Sequence, residues 1–263
     1  MISKFSNFMI MAGTKKLQKW IGFRYAWVLI ASLVLLLLGC TEDEVKPRVP
    51  SDPRADYQKE VIDYFVEVAL GFEFGTASKV TRKWKIPIKV FIGGDKSSEM
   101  LNELDRIIIE IEELAGNLSI SITEDSLQSN YYLFLGPGST FAQRFPPAQS
   151  NISSNWGLFY VYFNGANEIY KGVMYVDTER ATQAAARKHL LREEFTQSLG
   201  LARDSNVYPL SIFYSPWTLV TEFTPIDRDL IRLLYHSDMK TGYDESATRL
   251  VLKDLVKKIN IGA

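Results

Sequence analysis

Cysteine is almost absent from this sequence of 263 residues: Cys40 is the only one. A single cysteine can close no internal disulfide, so an exported form of the chain must be held by its apolar core. Histidine is nearly as scarce. His189 and His236 are the only two, which excludes a metal site built from three imidazoles. Residues 1–39 contain no acidic side chain, and residues 41–263 contain no apolar run of the ~20 residues that a membrane-spanning helix needs. There is no internal repeat. There is also no phosphate loop, since Gly136-Pro137-Gly138 lacks the Gly-Lys-Ser that would follow and reads as a turn.

What the first forty residues do contain is ordered. Lys15, Lys16, Lys19 and Arg24 lead into an apolar run from Tyr25 to Gly39, the layout of a secretory signal. The run is too short to span a bilayer comfortably. Leu37-Leu38-Gly39-Cys40 resembles the lipobox of bacterial lipoproteins. That resemblance implies cleavage after Gly39 and palmitate-type acylation of Cys40, each buried methylene contributing roughly 0.8 kcal/mol of anchoring. Residues 1–39 are therefore expected to be a signal peptide, 40–56 the lipidated cysteine with a flexible tether, and 57–263 the folded domain. The three prolines of 41–56 and its few apolar groups suit a tether. Thr41 follows the cysteine in place of the aspartate that resembles an inner-membrane retention signal. Glu42-Asp43-Glu44 is similar to the surface-export tag of some outer-membrane lipoproteins. The expected location is the cell envelope, at the outer membrane rather than the inner.

Without residues 1–39 the chain carries 25 Lys+Arg against 31 Asp+Glu, a net charge of −6. A nucleic-acid partner would require a basic face, so none is expected. The expected partners are membrane lipid, through Cys40, and a protein or envelope component.

Apolar periodicity predicts an amphipathic helix over 57–70, with Val61, Phe65, Val68 and Leu70 on one side. A strand is predicted over Lys83–Ile92, and a helix over Ser97–Leu114 with Gly116 as its stop. Short strands follow at Leu118–Ile122, Tyr131–Leu135, Leu158–Phe163 and Val173–Val176. The last two are joined by a turn at Asn164-Gly165-Ala166-Asn167. A long helix from Thr178 to Leu199, capped by Asp177 or Thr178, and a final helix pair near Asp227–Tyr235 and Ser246–Lys257 complete an α+β arrangement. The aromatic strand Trp156, Tyr160, Tyr162 and Phe163 reads as core and sheet face, and Phe145-Pro146-Pro147 as a loop near the cleft.

On the long helix, His189, Glu193 and Gln197 recur every four residues as one polar stripe, while Leu191, Phe195 and Leu199 form an apolar one. Gly200 ends the helix. Glu193-Glu194-Phe195-Thr196-Gln197-Ser198-Leu199-Gly200-Leu201-Ala202-Arg203-Asp204 resembles the zinc motif HExxHxxGxxH of metzincin metallopeptidases. Downstream, Ser211-Ile212-Phe213-Tyr214 resembles their Met-turn, with Phe213 in place of the methionine. Phe223–Asp227 with Ile231–Tyr235 resembles their closing helix. The chain is thus similar to a bacterial lipoprotein family, a domain of unknown function, of metzincin-like proteins with the degenerate motif EExxQxLGL. The resemblance implies a zincin fold in which Gly172–Asp177 is the edge strand that pairs with substrate.

It also implies that Glu193, Gln197 and Arg203 stand at the three ligand positions and Glu194 at that of the general base. An amide oxygen is a poor zinc ligand, and a guanidinium has no lone pair to give. No zinc and no other cofactor is therefore expected. Glu193, Gln197 and Arg203 are instead expected to meet as a polar cluster, with His189, Asp204, Phe213 and Tyr214 accessory to it. Three alternatives stay open: a displaced zinc site of His189, Glu193 and His236; a calcium site of Glu193, Gln197 and Asp204; and metal-free acid–base chemistry by Glu194. The reading is a pseudo-peptidase that binds a partner, with an atypical hydrolase second and a structural or adhesion lipoprotein third.

Overall fold

The computed structural model describes residues 52–259 and 261–262. The signal segment, Cys40 and most of the tether lie outside the described residues. Among the described residues there are six α-helices and a six-stranded sheet, and no helix is long and apolar enough to cross a membrane.

Helix α1 (Pro53–Ala69) begins ahead of the domain boundary expected at residue 57. The Asp-Pro pair assigned to the tether is a helix start: Asp52 accepts the Arg54 N–H at 3.0 Å, and Pro53 occupies the first turn. The strand expected over Lys83–Ile92 is two strands, β1 (Lys83–Trp84) and β2 (Ile88–Gly94), separated at Pro87, which has no N–H to donate to a ladder. Helix α2 (Ser98–Ala115) ends as predicted at Gly116, whose φ of 68° and N–H to the Glu112 carbonyl form a left-handed cap. Strands β3 (Ile120–Ile122), β4 (Tyr131–Leu135), β5 (Gly157–Phe163) and β6 (Glu168–Val176) complete the sheet, with the short helix α3 (Gly138–Arg144) after β4.

The sheet runs β1-β6-β4-β2-β3, with all of these neighbours parallel and β5 antiparallel on the other side of β6. The expectation of an α+β arrangement is corrected to a mixed α/β one, because helical crossovers such as α2 return the chain to parallel partners. The expected edge strand is corrected as well. Gly172–Asp177 falls largely in β6, which lies between β4 and β5, and the edge is β5.

Strand alternation assigns the two faces. Tyr131, Leu133, Leu135, Met174 and Val176 point into the main core beneath the helices, and Phe134, Val173 and Tyr175 into a smaller cluster with Phe141 of α3. Phe145 belongs to that second cluster, 4.8 Å between centroids from Tyr160, so the Phe145–Pro147 loop does not line the cleft described below.

Helix α4 (Ala184–Gln197) is shorter than the helix expected from Thr178. Asp177 does not cap it. Its carboxylate accepts the backbone N–H of Gly138 and both the backbone and Nε N–H of Arg180, which shapes 177–183 as a loop. On the back of α4, wholly buried Arg192 donates to Glu103 at 3.1 Å and to Glu110 at 2.7 Å, fixing α4 against α2. At its end, Trp84 Nε1 donates to the Ser198 carbonyl at 3.1 Å and Tyr235 to the Leu199 carbonyl at 3.0 Å. These donors satisfy carbonyls that a helix end leaves free. Gly200 is required twice over: its φ is 119°, and a Cβ there would lie 2.0 Å from the Arg82 carbonyl oxygen. Helices α5 (Pro225–Tyr235), opened by a Thr224–Asp227 capping box, and α6 (Glu245–Lys258) close the domain.

Candidate functional site

A cleft of about 940 Å³ opens between α4, the edge strand β5, the 72–77 loop and the 214–219 segment. Helical spacing on α4 sends Leu191 and Phe195 into the core and turns His189, Glu193, Glu194 and Gln197 toward the cleft. Ser211–Tyr214 is a tight turn, closed by the Tyr214 N–H on the Ser211 carbonyl at 3.2 Å. Phe213 is buried in the core, while Tyr214 lines the cleft with Glu193 and Glu194.

The polar cluster differs from the expected one. Gln197 donates through Nε2 to Asp204 Oδ1 at 2.5 Å, and His189 Nε2 lies 3.3 Å from Glu193 Oε2. Arg203 does not join them. Its backbone N–H goes to the Val68 carbonyl and its Nη1 to the Glu67 carbonyl at 3.1 Å, so its guanidinium serves the end of α1. The expected Glu193–Gln197–Arg203 cluster is therefore corrected to one in which Asp204 takes the third place. The orphan carbonyls at the α1 C-terminus, with the negative end of its dipole, attract the cation that the motif would have turned inward.

Glu194 lies under β5 so closely that a Cβ on Gly157 would be 2.6 Å from its Oε1. Burial, then the charges of Glu193, Asp204 and Glu73, pushes its carboxyl well above the usual range. Asp204 is pushed up to about 7, by burial first and then by Glu193 and Glu73, against the opposing hydrogen bond from Gln197. Glu73 is also raised, by burial and by Glu193. For His189, burial opposes the charged ring, but Glu193 and the Val220 carbonyl outweigh it and its pKa is raised. Burial and the clustering of carboxyls thus favour the protonated forms of Glu194 and Asp204.

Zinc does not fit the three motif positions. Arg203 is turned away, and Gln197 presents an amide N–H to Asp204. The displaced site is not assembled either: His236 accepts the Asp238 N–H beyond α5 and does not line the cleft. Glu193, Gln197 and Asp204 do share the cleft, yet among the described residues no three His, Cys, Asp or Glu side chains are placed to hold one ion.

Several cleft residues carried no signal in the sequence reading. Glu73 and Trp217 come from irregular segments. Trp156, assigned to the core, is 38 % exposed at the cleft mouth, where it packs edge to face on Trp217 at 5.5 Å between centroids.

No curated protein matches the sequence. Among solved structures, one described as "Structure of myroilysin" is weakly similar, at 12% identity over 58% of this chain and 95% of that chain, with a TM-score of 0.34. Residues 58–254, nearly the whole of the described domain, match the family described as "Protein of unknown function (DUF2927)", and the chain belongs to that family.

Proposed function

We propose that the chain is a lipid-anchored envelope protein whose metzincin-like domain has given up zinc chemistry and binds a polypeptide partner in its cleft. The observation that carries this reading is the donor set on α4: Glu193 faces His189, Gln197 faces Asp204, and Arg203 is tied to α1. Each of these side chains has a protein partner without a metal. The cleft beside them is bounded by β5, whose outer edge makes no backbone hydrogen bond among the described residues and is free to pair with an extended chain.

A photo-crosslinking residue in place of exposed Leu219, on the cleft wall, tests this in cells. It should capture a discrete partner that the same probe at exposed Leu250, on α6, does not. Stoichiometric zinc in the purified protein together with peptide-bond cleavage would overturn the reading. A second reading, metal-free hydrolysis, is favoured by the raised carboxyls of Glu194 and Asp204, which could supply a general acid. Turnover abolished by Glu194→Gln, with no metal present, would replace the first reading with this one.

A further inference from the structure

The cleft is rich in carboxyl groups and poor in lysine and arginine. Glu73, Glu193, Glu194 and Asp204 line it. Gln197 lines it as well and is only 5 % exposed. It gives an amide N–H to Asp204, while its Oε1 has no hydrogen-bond partner among the described residues. Arg180, the only Lys or Arg on the lining among the described residues, is held by Asp177 at 2.8 Å and by the carbonyls of Ile152, Ser153 and Asn155. At the mouth stand Trp156 and Trp217, 38 % and 56 % exposed; the Arg180 guanidinium already lies 5.9 Å from the Trp156 ring centroid, which leaves Trp217 to attract a further cation.

We propose that the cleft recognises an alkylammonium or guanidinium group, presented as a lysine or arginine side chain of an extended polypeptide lying along β5. This rests on the polypeptide-binding reading above and adds the chemistry of what is bound. A metal ion needs ligands converging on one point, and no trio of His, Cys, Asp or Glu side chains does so among the described residues. An ammonium with three donors, or a guanidinium with five, takes acceptors spread around a wider volume, as they are here. The cation also offers a donor to Gln197 Oε1, which the cleft itself does not supply. Asp204 holds its proton up to about pH 7, so an arriving cation draws that proton off. Binding therefore strengthens as pH rises through neutrality. Glu73, Glu193, Glu194, His189, Arg180, Tyr160 and Tyr214 are the other charged or titratable groups lining the same space among the described residues.

The test uses the full-length chain in detergent and calorimetry with four probes. Three are a capped peptide of alternating valine and threonine with a central lysine, and its arginine and norleucine counterparts; the fourth is n-butylammonium. The lysine and arginine peptides should bind at least about tenfold more tightly than the norleucine peptide. Butylammonium should compete, and Glu193→Gln with Asp204→Asn should erase the difference at unchanged circular dichroism. Trp217→Leu, at an exposed position, should weaken the two basic peptides selectively, so the comparison survives even if the double variant fails to fold. Equal binding of all three peptides overturns the cation proposal and leaves the polypeptide reading standing. Butylammonium binding that is lost in the double variant, with no peptide binding, supports the cation site and overturns the polypeptide reading. Binding of none of the probes overturns the proposal.

Discussion

Gln197 donates its side-chain N–H to the carboxylate of Asp204 across 2.5 Å, joining the last turn of α4 to the segment just beyond Gly200. That contact decides which residue stands third on the cleft face. Arg203 occupies the motif position, and its neighbour Asp204 occupies the place.

Restoring imidazoles tests this one-residue displacement. Glu193→His, Gln197→His and Asp204→His together should bind one zinc ion per chain, measured by metal analysis after dialysis. The set ending in Arg203→His should bind markedly less, because that side chain leaves toward Glu67. Equal zinc in both sets would place Arg203 and Asp204 alike at the cleft.

Arg192 should matter more to stability than any cleft residue. Its guanidinium is wholly buried, and one partner, Glu103, is 1 % exposed. Arg192→Ala leaves that carboxylate with the half-exposed Arg106 as its remaining partner, at 3.1 Å, and should cost up to ~3–5 kcal/mol in urea unfolding. Adding Glu103→Gln should recover part of the loss. Arg203→Ala, which loses a single partly buried hydrogen bond to a backbone carbonyl, should cost only ~1–3 kcal/mol.

Asp204 makes stability depend on pH in a defined direction. Its folded pKa of about 7 lies above its ordinary value of 3.8, so between these values the folded chain holds a proton that the unfolded chain has released. Stability from this group therefore falls as pH rises from about 4 to 7 and is flat above. Glu194 acts in the same sense. Asp204→Asn should raise the unfolding free energy at pH 8 by on the order of 1–2 kcal/mol and leave it unchanged near pH 4. A gain of the same size at both pH values would show that ionisation is not the cause.

Lipidation is tested outside the described residues. Cys40→Ser should leave an unprocessed precursor that incorporates no labelled palmitate. Normal labelling of that variant would remove the anchor from the proposed function.

The periodic parts of the fold were legible from residues alone. Helix α2 with its Gly116 stop, strand β4, and the last two helices follow from apolar spacing, capping residues and glycine, all of which act within a few residues of chain. The same local logic placed His189, Glu193 and Gln197 on one face of α4, since a helix turns by a fixed angle per residue. It failed where partners are remote. Pro87 divides a strand because β1 and β2 have different neighbours, β6 for one and β3 and β4 for the other. Asp177 was free in sequence to cap a helix, and only the fold brought Gly138 to it.

The sequence by itself determined which chemistry could stand at the motif positions: two histidines in the chain, an amide and a guanidinium where imidazoles would be needed. Tertiary structure alone decided which side chains meet. Arg203 turns away because α1, more than a hundred residues earlier, ends in unsatisfied carbonyls beside it, and Asp204 thereby becomes the partner of Gln197. Glu73, Trp156 and Trp217 enter the cleft from three separate segments with no periodicity to announce them. Helix periodicity is a property of adjacent backbone, whereas the pairing of charges and the walls of a cleft depend on packing between segments far apart in the chain.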